Sequence, residues 1–290
     1  MQPAIELKRK LAGPGPTVGV MISNHLWLEV IEIAVEAGLD YVIIDAEHMA
    51  HCPERIADAC RLGRMTNFPV LLRPARTDTE SIRMAMDLGP CGMLLPMIES
   101  TLQLEQVKNG IYMPPRGQRR PGGPGNGWVK RYTYDTFKAN VEDHVIVIPQ
   151  VESPLGLQNA GEIAAHPIVT ALGVGPFDLS ASLGLCWKPE HPTFKGALAH
   201  IRDAARAAAK PVWMIGDAKL LLEEGYRFLC MGEPTAMLQR MLTDLVRQLR
   251  AIGRPISAED LSNDAGKPLH ATRNPQQAAH AQGKSGDGAR

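Results

Sequence analysis

The chain has few aromatic residues, no net charge and no long apolar run, and each of these absences excludes a class of protein. Phe, Trp and Tyr make up 5% of the 290 residues, and Lys plus Arg equals Asp plus Glu at 31 each. A balanced charge gives no electrostatic reason to expect a nucleic-acid partner or binding to an anionic membrane. No apolar run approaches the ~20 residues of a membrane-spanning helix. The first residues, MQPAIELKRKLAG, lack the apolar segment and cleavage site of a signal peptide.

Cysteine is sparse as well, and its spacing excludes the common cysteine-based sites. The five residues are Cys52, Cys60, Cys91, Cys186 and Cys230. None of them forms a C-x-x-C pair, so a zinc site built on cysteine is not expected. An odd number of widely spaced cysteines favours reduced thiols in a cytoplasmic protein.

Apolar strand-like segments alternate with helix-like segments along most of the chain, which predicts a parallel sheet covered by helices. Eight such units in about 250 residues fit a (β/α)8 TIM barrel. The alternative is a doubly wound open sheet, but no G-x-G-x-x-G follows the first strand. The predicted strands are residues 18–22, 41–45, 70–73, 92–98, 145–151, 170–174, 212–215 and 228–231.

Two segments interrupt this alternation. Residues 114–127, PPRGQRRPGGPGNG, form a long glycine- and proline-rich insertion that is typical of a lid or binding loop. Its arginines, Arg116, Arg119 and Arg120, either recognise an acidic or hydroxylated substrate or are simply solvated. Residues 254–290 lose all periodicity, so we expect one barrel domain over residues 1–253 followed by a disordered tail.

Active sites of such barrels lie at the C-terminal ends of the strands, and several polar residues are predicted there. They are Asp45, Glu47, His48, Arg73, Glu99, Gln150, Glu152, Asp178, Asp217 and Glu233. No predicted strand carries a lysine, and Lys210 precedes the seventh strand at the opposite face. A Schiff-base mechanism needs such a lysine. Carbonyl chemistry in this barrel should therefore depend on a metal ion.

Glu152 and Asp178 follow neighbouring strands and suggest a metal site. Two converging carboxylates suit Mg²⁺ or Mn²⁺, which prefer oxygen ligands. The alternative is that each residue caps the helix that follows it. The spacing alone does not decide between these interpretations.

The second and third strands end in a charged cluster. His48 follows Asp45 by three residues, a spacing that suggests an imidazole oriented for proton transfer. Arg73 ends the apolar run VLLRP, where a guanidinium needs an anionic partner. That partner is either a substrate carboxylate or enolate, or the side chain of Asp45 or Glu47. Both can hold if the pair also directs Arg73 toward a substrate.

Several motifs together resemble those of the HpcH/HpaI aldolases, the metal-dependent (class II) pyruvate aldolases. They are D-A-E-H after the second strand, L-L-R-P after the third, P-M-I-E-S after the fourth, Q-V-E-S-P-x-G after the fifth and G-V-G-P-F-D-L-S after the sixth. The resemblance covers residues 17–253. It departs from the family at residues 114–127, which are more basic and more glycine-rich than the usual P-x-G-x-R-G.

The resemblance implies roles for individual residues. Glu152 and Asp178 would bind the metal ion, Arg73 would stabilise the enolate oxygen, and His48, oriented by Asp45, would transfer the proton of the aldol hydroxyl. The remaining implied site residues are Gln150 beside the metal, Gly175, Phe177 and Asp178 as backbone donors to the pyruvate carboxylate, and Asp87 near a subunit boundary. The charged cluster itself, independently of the resemblance, suggests that Glu47 makes a supporting contact to Arg73.

The implied activity is reversible cleavage of a 4-hydroxy-2-oxo acid to pyruvate and an aldehyde, with Mg²⁺, Mn²⁺ or Co²⁺ as cofactor. The alternatives are a related enzyme, such as an oxaloacetate decarboxylase or a CoA-ester lyase, and a non-catalytic barrel that binds 2-oxo acids. The sequence shows no pocket for adenine or diphosphate, which disfavours CoA. Family members usually form homo-hexamers, trimers of dimers, in which the last barrel helix is exchanged between neighbours.

Overall fold

Eight parallel strands form the centre of the molecule in a computed structural model, which describes residues 1–120, 122, 127–130 and 133–252. The strands are rich in Val, Ile and Leu and are buried on both faces, as expected for a parallel sheet covered by helices. They are β1 (Thr17–Ile22), β2 (Tyr41–Asp45), β3 (Val70–Arg73), β4 (Gly92–Leu95), β5 (Ile146–Val151), β6 (Leu172–Val174), β7 (Val212–Ile215) and β8 (Phe228–Cys230).

The sheet closes on itself, which confirms the predicted (β/α)8 barrel. Each strand pairs with the next one in the chain, and β8 pairs with β1 in the register Thr17↔Phe228. Because all strands run in parallel, their C-terminal ends lie at one face of the barrel. The residues predicted at those ends therefore converge.

Helices alternate with the strands along the chain. They are α1 (Gln2–Leu11), α2 (Glu29–Glu36), α3 (Pro53–Met65), α4 (Thr79–Asp87), α5 (Thr101–Ile111), α6 (Tyr134–Asn140), α7 (Pro154–Gln158), α8 (Ala160–Ala165), α9 (Pro176–Ser182), α10 (Pro192–Ala207), α11 (Ala218–Glu223) and α12 (Pro234–Ile252). A short 3-10 turn, Glu142–His144, precedes β5.

Helix starts follow local chemistry. Asp78 caps α4 by accepting a hydrogen bond from the Ser81 N–H at 3.1 Å, as predicted from the sequence. Ser100 and Gln103 form a capping box at the start of α5. The helix predicted over residues 154–165 is instead two helices, because the chain leaves the helical conformation at Asn159.

The interior of the barrel contains a chain of hydrogen bonds between fully buried side chains. Trp213 Nε1 donates to the Tyr41 hydroxyl at 2.8 Å, and that hydroxyl donates to the Leu229 carbonyl at 2.8 Å. Gly19 faces Tyr41, and a Cβ there would meet its backbone oxygen and ring carbons at 2.5–2.6 Å. The glycine thus makes room for the aromatic ring within the barrel.

The chain divides into two compact units, Met1–Gln239 and Arg240–Arg290. The first contains the whole barrel, and residues 240–252 of the second continue α12. The predicted tail, residues 254–290, lies outside the described residues. Within the described part, no helix combines the length and apolar composition needed to cross a membrane. All five cysteines are unpaired, in agreement with the expectation of free thiols.

Candidate active site

Asp45 and Arg73 form a buried ion pair at the ends of two adjacent strands. The β2–β3 register places the two residues side by side. Arg73 Nε donates to Asp45 Oδ1 at 2.8 Å, and Arg73 Nη2 donates to Asp45 Oδ2 at 2.6 Å. Asp45 is completely buried and Arg73 is 4% exposed. This two-point contact fixes the plane of the guanidinium at the barrel mouth.

The pKa of Asp45 is set by opposing effects. Burial raises it, but the hydrogen bond and charge of Arg73 and the N–H of Glu47 outweigh burial, so the pKa lies below its usual value. The Glu47 N–H is 3.0 Å from Asp45 Oδ1. Asp45 therefore stays ionised and keeps Arg73 paired.

Glu47, rather than Asp45, lies beside the His48 ring. His48 Nε2 is 3.7 Å from Glu47 Oε2, whereas Asp45 Oδ1 accepts only the backbone N–H of His48 at 3.4 Å. Glu47 Oε2 is also 3.2 Å from Arg73 Nη1, so these two side chains are in contact in the structure. The imidazole is more than half exposed, which leaves it accessible to a substrate.

Glu152 is a buried carboxylate, and Gly175 provides the space for it. Val151 of β5 pairs with Val174 of β6, which brings the next residue of each strand together. A Cβ on Gly175 would lie 1.9 Å from Glu152 Oε1. The other oxygen, Oε2, accepts the Met97 N–H at 2.9 Å. Met97 has a positive φ of 49°, an uncommon backbone conformation for a residue other than glycine.

The Glu152 carboxyl group lies within the influence of other negative charges. The pKa of Glu152 is raised to about 7, chiefly by burial and also by the charges of Asp178 and Glu47, whereas the Met97 N–H and the charge of Arg73 lower it. A carboxylate whose pKa is raised by burial and by neighbouring negative charges is stabilised in its ionised form by a nearby cation. The excess negative charge is the feature of this face that favours a positively charged ligand.

The alternative that Glu152 and Asp178 are helix caps is wrong. Gly175 occupies the N-cap position of α9, and Asp178 lies within the first turn. Ser153, the residue after Glu152, caps α7 by accepting the Gly156 N–H at 3.1 Å. Neither carboxylate is needed to start a helix.

The oxygen-rich set of side chains fits a hard divalent cation. Gln150 is 2% exposed, and its Oε1 has no hydrogen-bond partner. This buried acceptor lies on β5, two residues before Glu152, which directly follows the strand. Among the described residues, no group of three His, Cys, Asp or Glu side chains is arranged to hold a metal ion by itself. A cation here would thus need oxygens from water or from a substrate, in addition to Glu152 and Asp178.

The start of α9 exposes residues that could face a substrate. Pro176 opens this helix after Gly175, so the first free N–H groups belong to Phe177 and Asp178. Phe177 is 57% exposed and stacks on Trp187 with ring centroids 4.2 Å apart. The aromatic pair forms an apolar wall next to Asp178.

Asp87 and two arginines of the long insertion form ion pairs that do not include the strand-end residues described above. Arg119 Nη2 donates to Asp87 Oδ1 at 2.8 Å, and Arg83 Nη1 donates to Asp87 Oδ2 at 3.0 Å. Arg119 is almost completely buried, while Arg116 pairs with Asp143 at 2.7 Å. The interpretation that these two arginines are merely solvated is therefore wrong. Arg120 is exposed, and residues 121 and 123–126 lie outside the described part.

The strand-end carboxylates and Arg73 could be located from the sequence, but two contacts could not. The Met97 N–H is a partner of Glu152 that was not predicted, because a backbone donor has no sequence signature. The predicted pairing of Asp45 with the His48 ring is not the contact found, since a spacing of three residues does not show which way a carboxylate points. The run P-M-I-E-S after β4 was the available signal for the turn at Met97.

The model of the HpcH/HpaI aldolase/citrate lyase family matches residues 23–236. A hydroxypyruvate/pyruvate aldolase of Chromohalobacter salexigens is 30% identical over 224 residues, covering 76% of this chain and 88% of that protein. A hydroxypyruvate/pyruvate aldolase of Deinococcus radiodurans is 32% identical over 261 residues, covering 84% and 89%.

The fold is likewise shared with a solved structure. The crystal structure of an HpcH/HpaI aldolase from Desulfitobacterium hafniense superposes with a TM-score of 0.77 at 26% identity, covering 84% of this chain and 96% of that one. The family model, the relatives and the fold agree across the barrel. The chain therefore belongs to the HpcH/HpaI aldolase/citrate lyase family of carbon–carbon lyases.

Proposed function

We propose that the protein is a metal-dependent aldolase that reversibly cleaves a 4-hydroxy-2-oxo acid to pyruvate and an aldehyde. The observation that carries the proposal is the convergence of Glu152, Asp178 and the paired Arg73 at one face of the barrel. None of the eight strands contains a lysine, so the strands offer no amine for an imine.

Glu152 and Asp178 are the proposed metal ligands, with Gln150 beside them. A divalent cation bound there would withdraw charge from the 2-oxo group and acidify the adjacent carbon. The Met97 N–H holds one oxygen of Glu152, which leaves Oε1 directed at Gly175. The backbone at Gly175, Phe177 and Asp178 is the proposed binding site of the substrate carboxylate.

Arg73 is the proposed donor to the enolate oxygen. Two of its nitrogens are occupied by Asp45 and Nη1 contacts Glu47, so the guanidinium cannot rotate freely. A donor fixed before the reaction stabilises developing negative charge without reorganisation. Asp45 acts through Arg73 and is a positioning residue.

His48 is the proposed acid–base group. In the cleavage direction its imidazole accepts the proton of the 4-hydroxyl, and in condensation it returns that proton. The Glu47 carboxylate is the acidic group beside the ring, with Oε2 3.7 Å from His48 Nε2. Glu47, rather than Asp45, is therefore the proposed neighbour that positions the imidazole.

The donor and acceptor substrates need separate tests. The two relatives described above are named for both hydroxypyruvate and pyruvate, so both 2-oxo acids are candidate donors for this chain. Decarboxylation of oxaloacetate would pass through the same pyruvate enolate, and carbon dioxide release without an aldehyde identifies that reaction.

The deciding experiment measures pyruvate release from a 4-hydroxy-2-oxo acid in the presence and absence of EDTA. We expect activity to disappear in EDTA and to return on addition of Mg²⁺, Mn²⁺ or Co²⁺. Glu152→Gln should lower activity by about 100-fold or more, since even groups behind metal ligands contribute about 10–100-fold.

The matched control is Glu162→Gln, because Glu162 is an exposed glutamate on α8. This variant should keep full activity and metal dependence. Undiminished turnover in chelator by both wild type and Glu152→Gln would disprove the metal-dependent mechanism. Tight pyruvate binding without turnover of any donor would instead indicate a non-catalytic barrel.

We also propose that the active form is a cytoplasmic homo-hexamer in which α12 is exchanged between neighbours. Helix α12 has no buried residue, and its exposed apolar side chains recur at helical spacing. They are Leu238, Met241, Leu242, Leu245, Val246, Leu249 and Ile252. Such a stripe on a helix is typical of a protein interface.

A further inference from the structure

A polar cavity lies at the face of the barrel opposite the candidate active site. Its volume is about 410 Å³. Val145 precedes β5, Thr170 precedes β6 and Lys210 precedes β7, and all three line it together with the last turns of α1. The cavity therefore lies at the N-terminal ends of these strands.

Two lysines from distant parts of the sequence face this cavity. Lys8 comes from α1 and Lys210 from the loop before β7. Their charges repel each other: burial lowers the pKa of Lys8, and the charge of Lys210 lowers it further. Within the described residues, neither ammonium group has a carboxylate oxygen within 4.0 Å. The closest polar contact of Lys8 is the Asp143 carbonyl at 3.5 Å.

The acidic side chains of the cavity are already neutralised by other groups. Arg116 Nη1 lies 3.3 Å from Glu142 Oε2 and 2.7 Å from Asp143 Oδ1. Lys138 also pairs with Asp143 at 3.0 Å, and Glu142 Oε1 accepts the Met113 N–H at 2.7 Å. Arg116 is additionally held over the Tyr112 ring. Asp143 also acts on Lys8 and raises its pKa, but it forms its ion pairs with Arg116 and Lys138. Among the described residues that line the cavity, Lys8 and Lys210 are thus the cations that form no ion pair within 4.0 Å.

We propose that this cavity binds a small phosphate-type dianion between Lys8 and Lys210. Two ammonium groups facing a common space match the charge of such an anion. The Thr170 hydroxyl accepts the Val147 N–H at 3.2 Å, which leaves its own hydrogen for donation to the anion. Arg116 Nη1 is already held between Glu142 and Asp143, so that nitrogen is engaged and the lysines are the cations assigned to the anion.

A bound dianion would connect α1 to the loop before β7 and remove the repulsion between the lysines. Binding to the folded chain alone raises its stability in proportion to the logarithm of the ligand concentration. The site does not depend on the proposed reaction, because it uses no residue of the barrel mouth.

The experiment titrates inorganic phosphate into the full chain by calorimetry, in EDTA and at constant ionic strength. We expect one saturable site in the wild type. Lys8→Met and Lys210→Met should each weaken binding by about tenfold or more, because each removes one of two charges but keeps the apolar stem. Lys8→Arg should retain binding.

The control is Lys195→Met, since Lys195 is an exposed lysine of α10 that pairs with Glu190. It should bind phosphate as the wild type does. Without phosphate, both Lys→Met variants should melt at or above the wild-type temperature, so that weaker binding cannot reflect unfolding. The proposal is overturned if no saturable binding occurs, or if Lys8→Met and Lys210→Met bind phosphate as tightly as the wild type.

Discussion

Gly175 has no side chain, and this absence leaves the space that the Glu152 carboxylate occupies in the candidate site. A Cβ at this position would lie 1.9 Å from Glu152 Oε1. We predict that Gly175→Ala displaces this carboxylate and lowers metal-dependent aldolase activity by about 100-fold, as expected when a metal site loses its geometry. The measurements are kcat and the metal concentration needed for half-maximal activity.

The matched control for this prediction is Gly161→Ala. Gly161 lies within α8, and a Cβ there meets nothing within 4 Å. This variant should be as active as the wild type and slightly more stable, since alanine favours a helix. Equal activity of Gly175→Ala and Gly161→Ala would contradict the role assigned to Glu152.

The Asp45–Arg73 pair predicts a pH dependence of stability. The pKa of Asp45 is lower in the folded chain than its unfolded value of about 3.9. The carboxylate therefore stabilises the fold above about pH 4, and this contribution is lost as the pH falls through the folded pKa. We predict that Asp45→Asn lowers the free energy of unfolding at pH 7 by about 3–5 kcal/mol, because it leaves Arg73 buried with one charged partner fewer.

Urea unfolding between pH 7 and pH 2 measures this effect. The wild type should lose more stability than Asp45→Asn below about pH 4, where only the wild type has the carboxylate to protonate. Asp203→Asn is the control, because Asp203 pairs with Arg206 at the exposed surface of α10. A surface pair contributes about 0–1 kcal/mol. Parallel pH curves for Asp45→Asn and wild type would refute the assignment.

At the residue scale, strand ends could be predicted from sequence but side-chain directions could not. The apolar runs before Asp45 and Arg73 show where each strand stops, which is sufficient to place both residues at the barrel mouth. The buried position of Arg119 could not be predicted, because its partner Asp87 is 32 residues away. Such contacts depend on tertiary packing rather than on local pattern.

At the scale of single elements, α1 makes the least expected contribution to the fold. It precedes the first strand, and Ala4 and Leu7 are buried in the core. We predict that Leu7→Ala lowers the free energy of unfolding by about 2–5 kcal/mol, through lost burial and the cavity that remains.

Leu102→Ala on α5 is the matched control, because Leu102 is 71% exposed. Its effect should stay within about 0.5 kcal/mol. Chemical denaturation of the two variants under identical conditions checks the comparison. If both substitutions cost the same, α1 does not belong to the cooperative core.

Elements with strong local signals were predicted accurately, and those without were missed. The bounds of α3, residues 53–65, were predicted because Pro53 starts the helix and apolar residues recur at helical spacing. Helix α2 is shorter than the predicted residues 25–38, since it begins only at Glu29. Helix α1 was not predicted, because ten residues before the first strand fall outside the strand–helix repeat.

At the scale of the whole molecule, the closed barrel follows from the count and order of its units. Strands that are consecutive in the chain tend to lie side by side, and the crossover between two parallel strands is usually a helix. Eight units allow the first and last strands to pair, as β1 and β8 do. No sequence pattern reports this final pairing directly.

The hexamer proposal predicts a specific effect of α12 substitutions. Leu245→Glu places a charge in the exposed apolar stripe, and we expect it to lower the mass of the particle from that of a hexamer. Gln248→Glu, on the same helix, is the control and should leave the assembly intact. Light scattering coupled to gel filtration gives both masses. A monomeric wild type would disprove the hexamer.

The fluorescence of two tryptophans should report on two different events, unfolding of the barrel and binding of a ligand. Trp213 is fully enclosed and hydrogen-bonded to Tyr41 inside the barrel, so its fluorescence follows loss of the barrel itself. Trp187 is 44% exposed and stacks on Phe177, next to Asp178. Its emission should respond when a 2-oxo acid reaches the barrel mouth. A Trp187→Phe variant therefore separates the ligand signal from the folding signal without any attached dye.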